Sequence, residues 1–431
     1  MPSNPQQVPH LQTALTGPLL NLERHLLSCR TEIESWFRKQ FVATPAPFYA
    51  SVDLRNAGYK LAPVDTNLFP AGFNNLHPDL RSLAVHAAQT AVTQACPITD
   101  GVLIIPENHT RNTFYLENVF ALQTILETAG YEVHIGSLIA DLDAPMEIEL
   151  PSGNQLTLKP LVRENDKVGV EGFFPCAVLL NNDLSGGRPK ILENLDQTLL
   201  PPLELGWANR YKNQHFKHYA DVTKVFAELI DIDPWLITPT SVACGPINFK
   251  ERTGLEELAG TVNTMLKDTQ NYYDTHDISC KPFVIVKSDS GTYGMAIMSV
   301  DTPEDILNLN RKQRNKMASV KEGLHVEQML VQEGVYTFET LEDAVAEPVV
   351  YMMGSHVIGG FYRVHTGKTA TDNLNSPGMH FEPLSFEDSC VVPDDSQAPD
   401  AAPNRFYAYG VIARLALLAA ARELAEAKPQ D

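Results

Sequence analysis

The sequence predicts an α/β protein, and three observations carry that expectation. Strand and helix patterns alternate between residues 100 and 185, two apolar β-branched runs flank a lysine and a glycine-containing loop at 282–300, and 44% hydrophobic residues over 431 positions suffice for two or three lobes. Alternation of this kind implies a parallel, doubly wound lobe whose strand ends open on a ligand crevice.

Taken in order, residues 11–42 carry leucines and a Trp-Phe pair at helical spacing, until Pro45 and Pro47 break the pattern ahead of a strand around Asp53. Gly101–Pro106 reads as a short buried strand, 113–129 as a helix, Tyr131–Ile135 as a strand, 146–163 as a hairpin turning at Pro151–Asn154, and Cys176–Asp183 as another strand. Asn181, Asn182, Asp183 and Ser185 stand at that last strand's end, where they either touch substrate or cap the next helix. Residues 391–404, rich in Pro, Asp and Ala, read as a surface loop, and 406–427 as a closing helix. Arg414 and Arg422 interrupt that helix, which argues against a membrane span. The chain shows no internal repeat.

A formal charge of −20 with no basic patch argues against nucleic acid or an anionic membrane as partner, because a polyanion would be repelled. Small-molecule substrates remain, and self-association stays open. Six cysteines (Cys29, Cys96, Cys176, Cys244, Cys280 and Cys390) are scattered without a Cys-x-x-Cys, and no signal peptide is evident. Reduced thiols in the cytoplasm are therefore expected.

The stretch 282–300 is the most telling. Gly291 and Gly294 let backbone N–H groups approach phosphate oxygens, and Lys287 points a fixed charge at them, as in a clamp for polyphosphate; the plain alternative is a β-hairpin with a solvated lysine. Known phosphate loops do not account for it. In the near miss His365-Thr366-Gly367-Lys368-Thr369 six residues lie between the nearest upstream glycine, Gly360, and Gly367 where four are needed, and no Gly-x-Gly-x-x-Gly follows a strand.

What 282–300 resembles is the lysine strand and glycine-rich lid of ATP-grasp ligases, in which two antiparallel sheets hold ATP. The resemblance implies that Lys287, Ser290, Gly291, Thr292, Tyr293 and Gly294 surround the phosphates. It also implies an adenine hinge at His325–Val335 with Gln332, Glu333 and Val335, and a second phosphate lysine, Lys212, opening a helix. Val64-Asp65-Thr66-Asn67, with the small-residue turn to Asn75, is similar to the acid-x-Asn strand of the circularly permuted members, to which eukaryotic glutathione synthetase belongs. A carboxylate and an amide two apart on a strand share a face, as a Mg²⁺ site on phosphates requires; an Asx-rich turn is the alternative. Asp65 and Asn67 are thereby implied as metal ligands, with Asp289 as the third and Glu347 as its substitute, because Gly291 occupies the position where that family carries an acid.

Asp53 and Arg55 resemble the substrate strand of those enzymes. Arg363, followed by a turn returning with Asn373-Leu374-Asn375, resembles their carboxylate-holding segment. Over Tyr49–Gly378 the patterns are most similar to the proteobacterial ATP-grasp type of glutamate–cysteine ligase. The implied organisation is an N-terminal helix and permuted strand in 1–95 belonging to the ATP-grasp core, a parallel α/β substrate lobe in 96–205, ATP-grasp lobes with the lid in 206–390, and a surface loop with the closing helix in 391–431. The implied chemistry uses ATP and Mg²⁺ to activate the glutamate γ-carboxylate as an acyl phosphate for attack by cysteine, with Lys287 and Arg363 as catalytic groups. Glutathione synthetase is the neighbouring reading. A nucleotide-binding relic is the non-enzyme one, disfavoured because a relic has no need of both the lysine loop and the acid-x-Asn strand.

Overall fold

The computed structural model describes residues 11–12, 18–108, 111–290, 296–318, 328–384 and 406–427. Among these, three substantial sheets and a two-stranded ribbon define a mixed α/β architecture. The doubly wound part is a six-stranded sheet in the order 198–200, 177–181, 101–106, 132–137, 155–160, 146–149, parallel except for its last pair. Its central strands Gly101–Pro106 and Ala177–Asn181 are buried throughout, as parallel strands covered by helices on both faces must be.

The second, seven-stranded sheet is antiparallel and draws on distant parts of the chain. Tyr49–Asn56 pairs with Ala344–Met353 on one side and Leu61–Asn67 on the other, placing Asp53 opposite both Val349 and Asp65. Ala344–Met353 pairs in turn with His356–His365, which sets Glu347 opposite Arg363. The third sheet has four antiparallel strands in the order 241–244, 329–333, 284–288, 297–300. Lys287 faces Leu330 in it.

The helix Phe406–Ala427 is buried from Phe406 to Ala421 and packs with Leu19, Leu26, Ile33 and Phe37 in the largest core cluster. Buried on every side over that length, the expected closing helix is a core helix. No described helix is long and apolar enough to cross a membrane. The expected loop at 391–404 lies outside the described residues.

Two further expectations change. Cys96 and Cys176 are paired as a disulfide, their Cα atoms 6.3 Å apart, against the expectation of reduced thiols. Asn181 caps no helix: its amide ties Tyr49 and Pro70 to the α/β sheet, while its oxygen accepts from Asn118. Asn182 and Asp183 close turns onto Leu184 and Ser185.

Candidate active site

A cleft of about 930 Å³ opens where the three sheets meet, a volume suited to a nucleotide-sized ligand. Asp53, Arg55, Asp65, Asn67, Lys287, Gln332, Glu333, Val335, Arg363, Asn373 and Asn375 all line it. Residues separated by three hundred positions thus converge on one space. Gly291, Thr292, Tyr293 and Gly294 lie outside the described residues, and Ser290 is described but is not among the lining residues.

Lys287 leaves the four-stranded sheet and crosses to the seven-stranded one. Its ammonium donates to the Val64 carbonyl at 2.6 Å and to the Gln332 amide oxygen at 2.9 Å, and it lies 5.0 Å from the centroid of the Phe216 ring. The residue is 4% exposed. Burial disfavours its charge more than Asp65 supports it, so its pKa falls from the ordinary 10.5 to about 8. The Gln332 amide nitrogen, Nε2, is buried and has no hydrogen-bond partner among the described residues.

Lys212 begins the helix Lys212–Ile230, as expected, and is buried, but unlike Lys287 it is not among the residues lining the cleft and stands behind Trp207, which is. Its ammonium stands 3.9 Å from the Asp65 carboxylate and 3.8 Å from the Trp207 ring centroid, a cation–π seat that offsets part of its desolvation. Burial opposes the charge of Asp65, but Lys212, Lys287 and Arg210 together outweigh it and hold that carboxyl below its ordinary range.

Asp289 does something other than expected. Its carbonyl accepts from the Lys212 backbone N–H at 2.8 Å, and its carboxylate accepts from the backbone and side-chain amides of Asn213. It thus satisfies the first N–H groups of the lysine helix, and it does not line the cleft. The substitute, Glu347, is likewise engaged: one oxygen accepts from Arg363 at 2.6 Å and the other from Arg55 at 3.0 Å. Among the described residues no three His, Cys, Asp or Glu side chains gather as a metal cage. What remains, an ionised Asp65 beside the Asn67 amide, fits a cation held mainly by phosphate and water with one or two protein oxygens, the mode usual for Mg²⁺.

Arg55 is committed to the protein. It donates to Glu347, to the carbonyls of Val335 and Ala370 at 3.1 and 3.5 Å, and to the carbonyl of Asp372. Although it lines the cleft with Asp53, these bonds make Arg55 a brace between the hinge and the turn carrying Asn373 and Asn375. Arg363 donates to Asp53 at 2.8 Å and to Glu347, while its Nε is buried with no partner among the described residues. Burial works against its charge, but the two carboxylates hold its pKa above the ordinary value. The Glu333 carboxylate is also taken, by Lys60 at 2.7 and 2.8 Å, by the Trp235 indole and by the Thr240 N–H. It is therefore no free ribose acid, and the hinge is left to the backbone around Val335.

Sequence reasoning named Arg210 only as part of the Arg-x-Lys entry that gave Lys212, and passed over Lys60, Trp207 and Glu423. Trp207 stands just before that stretch, so its proximity was a usable signal. Glu423 carried none, its partner being 213 residues away.

These features define a cleft lined by charged side chains among three sheets, and the comparisons with known proteins give its class. The glutamate–cysteine ligase family model matches residues 23–424, and the chain belongs to that family of enzymes. It is similar to the crystal structure called "Putative gamma-glutamylcysteine synthetase" from Methylobacillus flagellatus KT, with 58% identity and a TM-score of 0.91 over 98% of this chain and 100% of that one. A glutathione synthetase like-effector from Globodera pallida, in apo form, covers 85% of this chain and 80% of its own at 11% identity and a TM-score of 0.38, a likeness too weak to bear on the fold. No curated protein gives a significant match.

Proposed function

We propose that the protein uses ATP to join the γ-carboxylate of L-glutamate to the amine of L-cysteine, giving γ-glutamylcysteine for glutathione synthesis, on a circularly permuted ATP-grasp frame. One observation supports this reading above the others: Lys287 is bonded to the carbonyl of Val64, the neighbour of Asp65, across 223 residues of sequence. A lysine strand and an acid-x-Asn strand so placed are the two halves of a phosphate site.

In this reading ATP lies between the four-stranded and seven-stranded sheets, with adenine at Gln332–Val335 and the phosphates facing Lys287 and Lys212. The resemblance to ATP-grasp ligases assigns Ser290 to Gly294 to the same phosphates. Asp65 and Asn67 would hold Mg²⁺, which when bound offsets charge on the phosphate oxygens. Lys287 and Lys212 supply fixed positive charge to the same region, and the wall built by Trp207 and Phe216 keeps water from competing for it. A γ-carboxylate oxygen attacks the terminal phosphorus, ADP leaves with the electron pair of the broken P–O bond, and an acyl phosphate results. The cysteine amine then attacks the acyl carbon, the C–O bond breaks toward phosphate, and the amine gives up a proton. Arg363, braced by Asp53 and Glu347, presents donors to the carboxylate and to the oxyanion that forms from it. Asn373 and Asn375 approach from the turn that Arg55 holds. We place the reaction in the cytoplasm, with small molecules as the partners.

Measuring ADP release with glutamate, cysteine, glycine and γ-glutamylcysteine offered in pairs tests the proposal. Turnover is expected with glutamate plus cysteine, with 2-aminobutyrate able to replace cysteine because the thiol does no chemistry, and with ¹⁸O passing from the γ-carboxylate into phosphate. Turnover confined to γ-glutamylcysteine plus glycine would overturn it in favour of a glutathione synthetase.

A further inference from the structure

Arg210 is 4% exposed, stands two residues before Lys212, and is not among the residues lining the cleft. Its Nε and one terminal nitrogen donate to the Glu423 carboxylate at 2.7 and 3.0 Å, and its other terminal nitrogen donates to the Thr66 carbonyl at 2.6 Å. Thr66 is the residue between Asp65 and Asn67. Glu423, near the end of the helix Phe406–Ala427, also pairs with His215, one turn into the lysine helix, and Arg210 packs 4.9 Å from the Trp207 ring centroid. One planar fork therefore fixes three elements to each other: the acid-x-Asn strand, the start of the lysine helix and the closing helix.

Packing alone gives no reason for this arrangement. A buried Arg–Glu pair recovers its desolvation cost only when geometry and hydrogen bonding are complete, and apolar residues would seat the same helix as well. What apolar residues could not do is hold the Thr66 carbonyl in direction and distance, which a guanidinium does because its donors are rigidly coplanar. The same helix offers a contrast in Arg414, which pairs with Glu34 on the helix Arg30–Ala43 and, among the described residues, makes no hydrogen bond to the strand carrying Asp65 and Asn67.

We infer that Arg210 and Glu423 are positioning residues that, through the Thr66 carbonyl, set Asp65 and Asn67 against Lys212 and Lys287 and so tune uptake of a divalent cation together with ATP. The inference rests on the assignment of Asp65 and Asn67 under the proposed function. Its test is Mn²⁺ binding in the presence of a non-hydrolysable ATP analogue, followed by loss of the free-ion EPR signal, with thermal melts on every variant. Glu423→Gln keeps the volume and one acceptor, and Arg210→Lys keeps the charge without the fork. Each is expected to weaken Mn²⁺ uptake about tenfold, the usual scale for outer-shell changes, and to raise the Mg²⁺ requirement for turnover equally, with KM for the amino acids unchanged. Glu34→Gln is expected to lower the melting temperature and leave Mn²⁺ affinity alone. A shift in Glu34→Gln equal to that in Glu423→Gln would reduce the pair to helix anchorage and overturn the inference. Unchanged Mn²⁺ affinity in folded Arg210→Lys and Glu423→Gln, beside a weakened Asp65→Asn, would remove the inference alone. Wild-type affinity in Asp65→Asn would remove the metal assignment, and this inference with it.

Discussion

At one end of the cleft Arg363 and Arg55 meet Asp53 and Glu347 in buried ion pairs, whereas at the other Lys287 rests on a carbonyl and an amide oxygen, with Lys212 against an aromatic face. Both ends are removed from water, so the difference lies in who supplies the opposite charge. The arginine end supplies its own, and Arg363 is held above its ordinary pKa. The lysine end does so incompletely, and Lys287 falls to about 8. A drop of that size corresponds to about 3 kcal/mol held against the charged form. An arriving polyanion would relieve this cost, so under the proposed function the lysine end awaits phosphate, while the arginine end carries its own opposite charge.

The contrast predicts that mutations at the two ends fail in different ways. Lys287→Ala should lower kcat by about 10²–10³-fold, as loss of one preorganised charge-stabilising donor does, while the melting temperature stays at or above that of the parent because a costly buried charge has gone. A coupled ADP-release assay and a thermal melt read both effects. Near-parental turnover would break the comparison at its root. Glu347→Ala should do the opposite and lose stability first, by about 3 kcal/mol, because Arg55 and Arg363 would face each other across an uncompensated gap. A urea midpoint that stays in place would show that the arginine end is not self-supporting.

Asp65→Asn should produce a smaller change, an approximately tenfold rise in the Mg²⁺ concentration giving half-maximal turnover, with little change in stability. This sharpens the comparison, because it separates the cation's share of the lysine end from that of the lysines themselves. An unchanged Mg²⁺ requirement would move the metal site elsewhere in the cleft.

How much of this was legible in the sequence depended on how locally each feature is encoded. The doubly wound sheet was legible because Gly101–Pro106, the helix that follows and Ala177–Asn181 each carry their own period, and Lys287 was legible because it ends an apolar run. Asp65 and Asn67 could be named through likeness to a strand motif, since two residues on one strand share a face wherever the strand lies. Satisfaction of charge was not legible. Asp289, Glu333 and Arg55 have the right side chains for ligand contact, yet each is occupied by partners distant in sequence, Asn213, Lys60 and the Val335 carbonyl. Nothing in a linear pattern tells a carboxylate awaiting a ligand from one already paired across the fold. The same limit hid Glu423, which reads as one more charge near the end of the closing helix until Arg210 is found against it.

The smallest effect is the most discriminating, because activity and stability should move in opposite directions with pH. Since Lys287 in the free enzyme loses its proton around pH 8, kcat/KM for ATP should bend downward above that pH, by up to about tenfold per unit, whereas kcat stays level further because bound phosphates would hold the ammonium charged. Stability runs the other way. The unfolded lysine keeps its proton up to about 10.5, so between about 8 and 10.5 the unfolded chain binds more protons, and the free energy of unfolding gains from this residue as pH rises. Lys60, also lowered to about 8 by burial despite its pairing with Glu333, adds to the stability rise. Lys287→Met should therefore flatten part of that rise while leaving the share of Lys60, a result readable by urea unfolding at pH 7.5 to 10 even though the variant is inactive. A parental kcat/KM that stays flat from pH 7 to 9.5, or a Lys287→Met stability profile parallel to the parent's, would show that Lys287 carries its proton as an ordinary surface lysine does, and the two ends of the cleft would then differ in shape but not in charge.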